Sequence, residues 1–377
     1  MSVARLTTHN FRNLLPSTIS FHPKLNFFVG DNGSGKSSLL EAIFFLGHGK
    51  SFRTSKLEHL ATYENDNFVV SIKDDLDLQL GLSKSLVTGK THIKINGENH
   101  ARLSELAKNI AVQIVTPESF KLFFGGPKER RRFVDLGMFH VKHNFSQQWR
   151  EFNRVLKQRN ACIRNNLDKA TLDYWSELFC TLSLEVTAIR TQYVDDLIVE
   201  LPEWLELLLP NIADKISVQY LRGWPQKKEL VVALADGYEK ELAHGYSLYG
   251  AHKFDVKFLI AKQPLESLLS RGQQKLFLLA LTFAQAKLIA RVNRVKPILL
   301  IDDIGAELDL ISRQALSTAI NKLDCQVVIT AIDEGVLQPI INDAKLIDEE
   351  SNKKTNYHMF HVKHGGILPV NNSVMIE

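Results

Sequence analysis

Apolar and polar positions alternate unevenly from Val3 to Phe11, and a compact apolar run from Leu25 to Val29 ends in Gly30. Both patterns predict strands. Residues 37–47 carry Leu39, Leu40, Ile43, Phe44 and Leu46 on one broad stripe, which predicts a helix. From 52 to 115 the pattern is short and β-rich, and the Asn-Gly pair within Ile95–Asn99 marks a tight turn between strands. The texture changes near Pro117. Helical spacing dominates from Lys128 to about Leu201, with Asn165-Asn166 as a break between two long helices and Pro202 and Pro210 closing the stretch. No heptad repeat is sustained, so a short packed arm is expected rather than a long coiled coil. A mixed stretch runs to about Lys262, then a helix is expected from Gly272 to Asn293. The short apolar runs Ile298–Ile301 and Val327–Ile329 predict buried parallel strands.

Composition narrows the class. At about 150 residues per domain, 377 residues suggest two or three domains. With 45% hydrophobic and 23% charged residues, the chain can bury a core and is not broadly disordered. Cys162, Cys180 and Cys325 are too few for a disulfide framework and lack zinc spacing, which fits a reducing cytoplasm. The N-terminus lacks an apolar signal core. Even the oiliest segment, Phe277 to Ala290, is interrupted by Thr282, Gln285 and Lys287, so no membrane span is expected. A net charge of +4 is compatible with nucleic acid and with a mildly basic enzyme alike. Met-Phe-His-Val-Lys-His occurs twice, at 138–143 and 359–364. Each copy holds His-x-x-His, but neither brings the cysteine or carboxylate ligands usual at metal sites, so surface or half-core histidines are expected.

The chemistry begins at Gly30, Asp31, Asn32, Gly33, Ser34, Gly35, Lys36 and Ser37, which fit G-x-x-x-x-G-K-[ST] between a strand and a helix. The glycines let successive N–H groups turn toward phosphate oxygens, and the helix adds its positive end. Lys36 offers a point charge to the β- and γ-phosphates, Ser37 a hydroxyl to Mg²⁺, and Ser38 completes the nucleotide-binding run. Such a loop needs an acidic partner at a neighbouring strand end. Ile298–Ile301 would deliver Asp302 to the Mg²⁺ shell, and Asp303 can orient or deprotonate the attacking water. Lys36 and Asp302 are so far apart in sequence that a nucleotide head must be built from both chain ends, with an insertion between. Ser270, Gly272 and Gln273 open the helix before the acidic strand, where a serine and exposed N–H groups form a further anion site.

Phosphate loop, Ser-x-Gly-Gln, acidic strand, then Glu307-Leu308-Asp309 is the order of ATP-binding-cassette ATPases, and Asn10-Phe11-Arg12-Asn13 is similar to their SMC-like branch. Gly47 to Thr54, Thr116-Pro117-Glu118, Gly126 to Asp135, Ser270 to Lys275 and Asp302-Asp303-Ile304 together resemble the RecF family of bacterial gap-repair proteins, from about residue 3 to 364. The resemblance implies an α/β fold: a cassette/SMC-like head with mixed sheets around the phosphate loop and an inserted, mainly helical arm. The head would comprise 1–117, with the loop and a β-rich subdomain, and 263–377; the arm would comprise 118–262. It implies ATP and Mg²⁺ as cofactors and a homodimer closed by ATP, with Ser270 facing the γ-phosphate on the partner's Lys36 loop. Gln113 resembles the glutamine that senses Mg²⁺ and γ-phosphate, Asp309 would lie at the dimer seam, and Arg12 would touch nucleotide. The chain departs from the pattern in three places. Asp303 stands where many cassette ATPases have Glu, so a weak, DNA-stimulated ATPase serving as a switch is expected. Thr330-Ala331 replaces the usual switch His. Gly250 to Asp255 is a loosened form of the family's segment.

Lys50, Arg53 and Lys56 cluster after the first helix, and Lys128, Arg130, Arg131 and Arg132 at the start of the arm. Arg150, Arg154, Lys157 and Arg159 recur at helical spacing. Such clusters can neutralise phosphates without reading sequence, or form solvated and salt-bridged faces. The family resemblance adds double-stranded DNA, single-strand/duplex junctions at gaps, cooperation with RecR and RecO in loading RecA onto strand coated by single-strand-binding protein, and the SOS response. The competing expectation is the ATPase subunit of a transporter, against which the missing switch His and the arm both argue.

Overall fold

The computed structural model describes residues 2–142, 145–292, 296–305, 307–351 and 356–370. The alternating start forms β1 (Val3–His9), with Val3 and Leu6 buried and Arg5 exposed. β2 (Ser17–Ser20) pairs with it, and β3 (Leu25–Val29), buried throughout, precedes α1 (Lys36–His48). β4 (Asn67–Asp74), β5 (Gln79–Ser85), β6 (Thr91–Ile95) and β7 (Glu98–His100) complete a six-stranded antiparallel sheet of order β2-β1-β4-β5-β6-β7. Asn96 and Gly97 take φ of 51° and 85°, the positive pair that a two-residue hairpin loop requires. α2 (Leu103–Asn109) and β8 (Val112–Val115) follow.

The middle of the chain forms α3 (Lys121–Phe124), α4 (Pro127–Val141), α5 (Phe145–Arg164), α6 (Lys169–Leu208), β9 (Ile216–Leu221), α7 (Leu230–His244), β10 (Asp255–Ile260) and β11 (Gln263–Pro264). The three strands pair in the order β11-β10-β9. Then come α8 (Arg271–Val292), β12 (Ile298–Ile301), α9 (Leu310–Lys322), β13 (Gln326–Ala331), α10 (Gln338–Ser351), β14 (Tyr357–Lys363) and β15 (Gly366–Pro369). The second six-stranded sheet has the order β15-β14-β3-β13-β12-β8 and is parallel except for the β14–β15 hairpin.

The chain divides into two compact units: residues 1–119 with 203–209 and 271–377, and residues 120–202 with 210–270. In the first, α1 lies in one apolar cluster with both six-stranded sheets; Leu39 and Ile43 join Leu6, Phe68 and Val70 to Phe28, Leu300 and Val328. α8 is buried on every side from Gln274 to Ala286, as its all-round apolar sequence demands. Strand register levels Val29 with Ala331, and Ile301 with both Ile329 and Val115. The carboxyl ends of the parallel strands therefore converge, as open α/β sheets arrange their ligand edge. Among the described residues, no helix is long and apolar enough to cross a membrane.

In the second unit, Asn166 at φ 47° marks the expected break between α5 and α6. The expected closure at Pro202 is corrected: α6 continues through it to Leu208. Proline costs an interior helix about 3 kcal/mol. Beyond it, Trp204, Leu205 and Leu208 are all buried, and each such side chain contributes roughly 1.5–3 kcal/mol. Burial wins, and this last stretch belongs to the first unit, where Trp204 meets the Phe283 ring edge-on at 5.4 Å. Arg159, expected to neutralise phosphates or to lie on a solvated or salt-bridged face, is salt-bridged in the interior. It is buried and donates to Glu241 at 2.7 Å, Ser247 at 2.6 Å and Ser176 at 3.0 Å. Arg190 is equally buried, 3.8 Å above the Phe254 ring and bonded to Asp135 and the Ala251 carbonyl.

The repeated hexapeptide adopts two structures. Met138 to Val141 end α4, whereas Met359 to Lys363 lie in β14. His140 is buried and His361 exposed; His143 lies outside the described residues. Among those residues, no group of three metal-ligating side chains occurs.

Candidate nucleotide site

The loop between β3 and α1 is shaped by close approach. A Cβ on Gly30 would lie 2.2 Å from the Val362 carbonyl oxygen of β14, so only glycine fits there. Gly365 locks the other side: its N–H donates to the Ser34 carbonyl at 2.8 Å and its carbonyl accepts from Leu15 N–H at 3.0 Å. At φ 79°, with Asn13 O only 1.9 Å from a hypothetical Cβ, Gly365 is also irreplaceable, and no local motif announced it. Asn13 donates to the Gly33 carbonyl at 3.0 Å and accepts the Ser38 hydroxyl at 2.7 Å. Asp31, Asn32 and Gly33 form the exposed tip, Gly35 precedes the first residue of α1, and Ser34 is buried with its hydroxyl oxygen unpartnered among the described residues.

Lys36 folds back to donate to the carbonyls of Gly30 and Asp31, the latter at 2.9 Å. Burial lowers its pKa from the ordinary lysine value, while Asp303, Asp302 and Asp31 oppose that shift. Ser37 donates its hydroxyl to Asp302 Oδ1 at 3.1 Å, joining the two halves of the site. Burial raises the Asp302 pKa above the usual carboxylate range; bonds from Thr330 and Ser37 hold it down, and Asp303 and Glu118 push it further up. Lys275, at the start of α8, donates to the Asp303 carbonyl at 2.7 Å. A hydroxyl and a carboxylate oxygen side by side form a hard-oxygen pair of the kind Mg²⁺ takes, and a cation there relieves the crowding of acids. The unpartnered Ser34 hydroxyl beneath the loop likewise suits a phosphate oxygen. Ser37 and Asp302 would hold the metal, and the loop the phosphates.

The remaining expectations sort by position. A Cβ on Gly272 would lie 2.6 Å from the Glu307 carbonyl, so the start of α8, which carries Gln273, abuts the turn after the acidic strand. Ser270 immediately precedes α8 in sequence and falls in the second unit. Asp309 caps α9, accepting Ser312 N–H at 2.7 Å, a bond that lowers its pKa. Gln113 is not brought to the acids. It is buried level with Leu299, about 10 Å short of Asp302 along the sheet at roughly 3.3 Å per residue. Glu118, three residues past β8 and part of the Thr116-Pro117-Glu118 segment, is close enough to raise the Asp302 pKa. Arg12 is brought to Glu41, which accepts its Nε and Nη2 at 2.8 Å each and also takes the Ser51 hydroxyl.

Of the basic clusters, Lys50, Arg53 and Lys56 are exposed, with Arg53 3.9 Å from Glu41. Lys128 and Arg132 are exposed as well. Arg130 is committed to Asp255 through two bonds of 2.8 and 2.9 Å, and Arg131 to the Phe254 carbonyl at 3.0 Å. A separate groove of about 460 Å³ runs over the outer face of the antiparallel sheet, lined by Arg5, Lys73, His92 and Lys94, with Lys73 ion-paired to Asp77 at 2.7 Å. Alternation of outward positions was its only sequence signal.

With this geometry in place, likeness to known proteins becomes informative. Residues 2–355 match the RecF/RecN/SMC N-terminal domain. A DNA replication and repair protein RecF of Colwellia psychrerythraea (strain 34H) is 79% identical over the whole of both chains. One of Pseudoalteromonas translucida (strain TAC 125) is 36% identical over 98% of this chain and 100% of its own. Among solved structures, the recombination mediator protein RecF with ATP in the RecFOR pathway superposes with a TM-score of 0.81 at 22% identity, covering 98% of this chain and 97% of that one. The Smc head of Pyrococcus furiosus bound to the C-terminal domain of ScpA superposes at 0.54 with 17% identity, covering 98% and 96%. The head fold is thus shared.

Proposed function

The chain belongs to the RecF family, and from that membership and the site's geometry we propose that it is an ATP-gated DNA-binding switch of recombinational gap repair and replication maintenance. The carrying observation is the Ser37–Asp302 contact of 3.1 Å beside the Lys36 loop. It gathers, from distant parts of the chain, the groups that phosphoryl transfer requires. Mg²⁺ held by Ser37 and Asp302 would supply charge neutralisation. Lys36 releases its loop carbonyls to meet the β- and γ-oxygens, backbone N–H groups of the loop beyond Gly30 orient the phosphates, and Asp303 orients the attacking water. The shorter Asp303 side chain favours slow hydrolysis.

Ser270, Gly272, Gln273 and Asp309 act across a dimer of two such heads, so the closed state alone gives the terminal phosphate its second set of donors. Closure brings the exposed lysines and arginines together on duplex DNA and single-strand/duplex junctions without base readout. RecO and RecR are the partners, RecA loading onto strand coated by single-strand-binding protein is the output, and damage signalling in the SOS response follows from it. The family's setting makes the site of action cytoplasmic. Fluorescence anisotropy with duplex, single-stranded and gapped DNA, with and without ATP, combined with light scattering, tests this. ATP should produce dimers and tighten duplex or gapped binding; a monomer whose DNA affinity ignores ATP refutes the switch.

A further inference from the structure

β13 runs apolar from Val327 to Ile329 and then turns polar at Thr330, which is completely buried. A buried hydroxyl needs partners, and those of Thr330 all belong to the acidic turn. Its Oγ1–H donates to Asp302 Oδ1 at 2.7 Å, and the same oxygen accepts Asp303 N–H at 2.9 Å. The Thr330 carbonyl accepts Ile304 N–H at 3.1 Å. Asp303 sits at φ 51°, a conformation uncommon for a residue with a side chain, and two of the three bonds straddle it. The next residue, Ala331, accepts Gly30 N–H at 3.2 Å. The end of one strand thus fastens both the acidic pair and the entrance of the phosphate loop.

Resting on the nucleotide reading above, we infer that Thr330 is a positioning residue: it stands at the strand end where Thr330-Ala331 replaces the usual switch histidine, and it aims the metal-holding carboxylate instead. When Ser37 turns its hydroxyl from Asp302 toward a cation, Thr330 is the side chain that still fixes Oδ1. Its second bond sets the backbone from which Asp303 projects. Groups that orient metal ligands in this way commonly change metal affinity 10- to 100-fold, on the order of magnitude typical of such contacts, when removed.

The test uses the full-length chain and a fluorescent ATP analogue, titrated in EDTA and at increasing Mg²⁺. Thr330→Val keeps the shape and removes both side-chain bonds. It should bind the analogue like wild type in EDTA and need at least about tenfold more Mg²⁺ to reach the metal-dependent affinity; Thr330→Ser should restore the wild-type midpoint. If the valine variant does not fold, Thr330→Cys, a poorer donor of similar size, should shift the midpoint the same way. An unshifted midpoint overturns the inference. So does an equal loss with and without Mg²⁺, or a serine variant that fails to rescue. Absence of Mg²⁺-dependent binding in wild type would instead overturn the nucleotide reading, and the inference with it.

Discussion

At the scale of single residues, the protein uses buried charge in two ways. Lys36 lies near the opposite charges of Asp303, Asp302 and Asp31, and Asp302 near the like charges of Asp303 and Glu118. Lys36→Arg keeps the charge but spreads it over a planar group that cannot fold back onto the Gly30 and Asp31 carbonyls in the same way. Turnover should fall at least about tenfold while nucleotide affinity changes less, as single-turnover kinetics and equilibrium titration would read. Neutral histidines are buried too: at His140 and His252 burial lowers each pKa to about 4. Above the unfolded value of about 6.5, both states are neutral and nothing is lost. As pH falls from there toward 4, the unfolded chain takes up protons that the native one refuses. Each histidine then costs up to about 3 kcal/mol. Melting temperature should drop across that window, and His140→Gln should flatten the drop.

At the scale of elements, local chemistry was legible wherever it is self-sufficient. The phosphate loop, the Asn96-Gly97 turn and the Asn166 break each carry their backbone requirement in adjacent residues. What the sequence hid depends on distant neighbours. The hexapeptide at 138 and 359 is helix or strand according to what surrounds it, and Arg159 and Arg190 became core residues because Glu241 and Asp135 lie opposite. Gly365 matters only because β14 passes beside the loop. Pro202 persists inside α6 because of the burial beyond it. In sequence, Thr330-Ala331 only marks the absence of a histidine, and only the fold shows what the Thr330 hydroxyl binds. Replacing Pro202 by alanine restores a donor to the Ile198 carbonyl and should raise stability by about 1–3 kcal/mol, measured as a higher denaturant midpoint with unchanged slope.

At the scale of the whole molecule, the order of chemical parts along the chain anticipated the head because that order is how a split nucleotide site must be assembled. Ser270→Arg should leave ATP binding intact and abolish ATP-dependent dimers in light scattering. If DNA is held through phosphates by Lys50, Arg53, Lys56 and the groove of Arg5, Lys73 and Lys94, affinity should fall by a factor on the order of 10³ between 50 and 200 mM salt, with little dependence on base sequence.

β14 lies between β15 and β3, and Gly365 beyond it closes on Ser34 and Leu15. Vectorial synthesis gives that arrangement a consequence in time. A nascent polypeptide still tethered to the ribosome at residue 350 has made the whole loop between β3 and α1, yet its first parallel strand lacks one flank and the loop lacks its clasp. The clasp on a loop made near the start of the chain is therefore among the last contacts that the emerging chain can form.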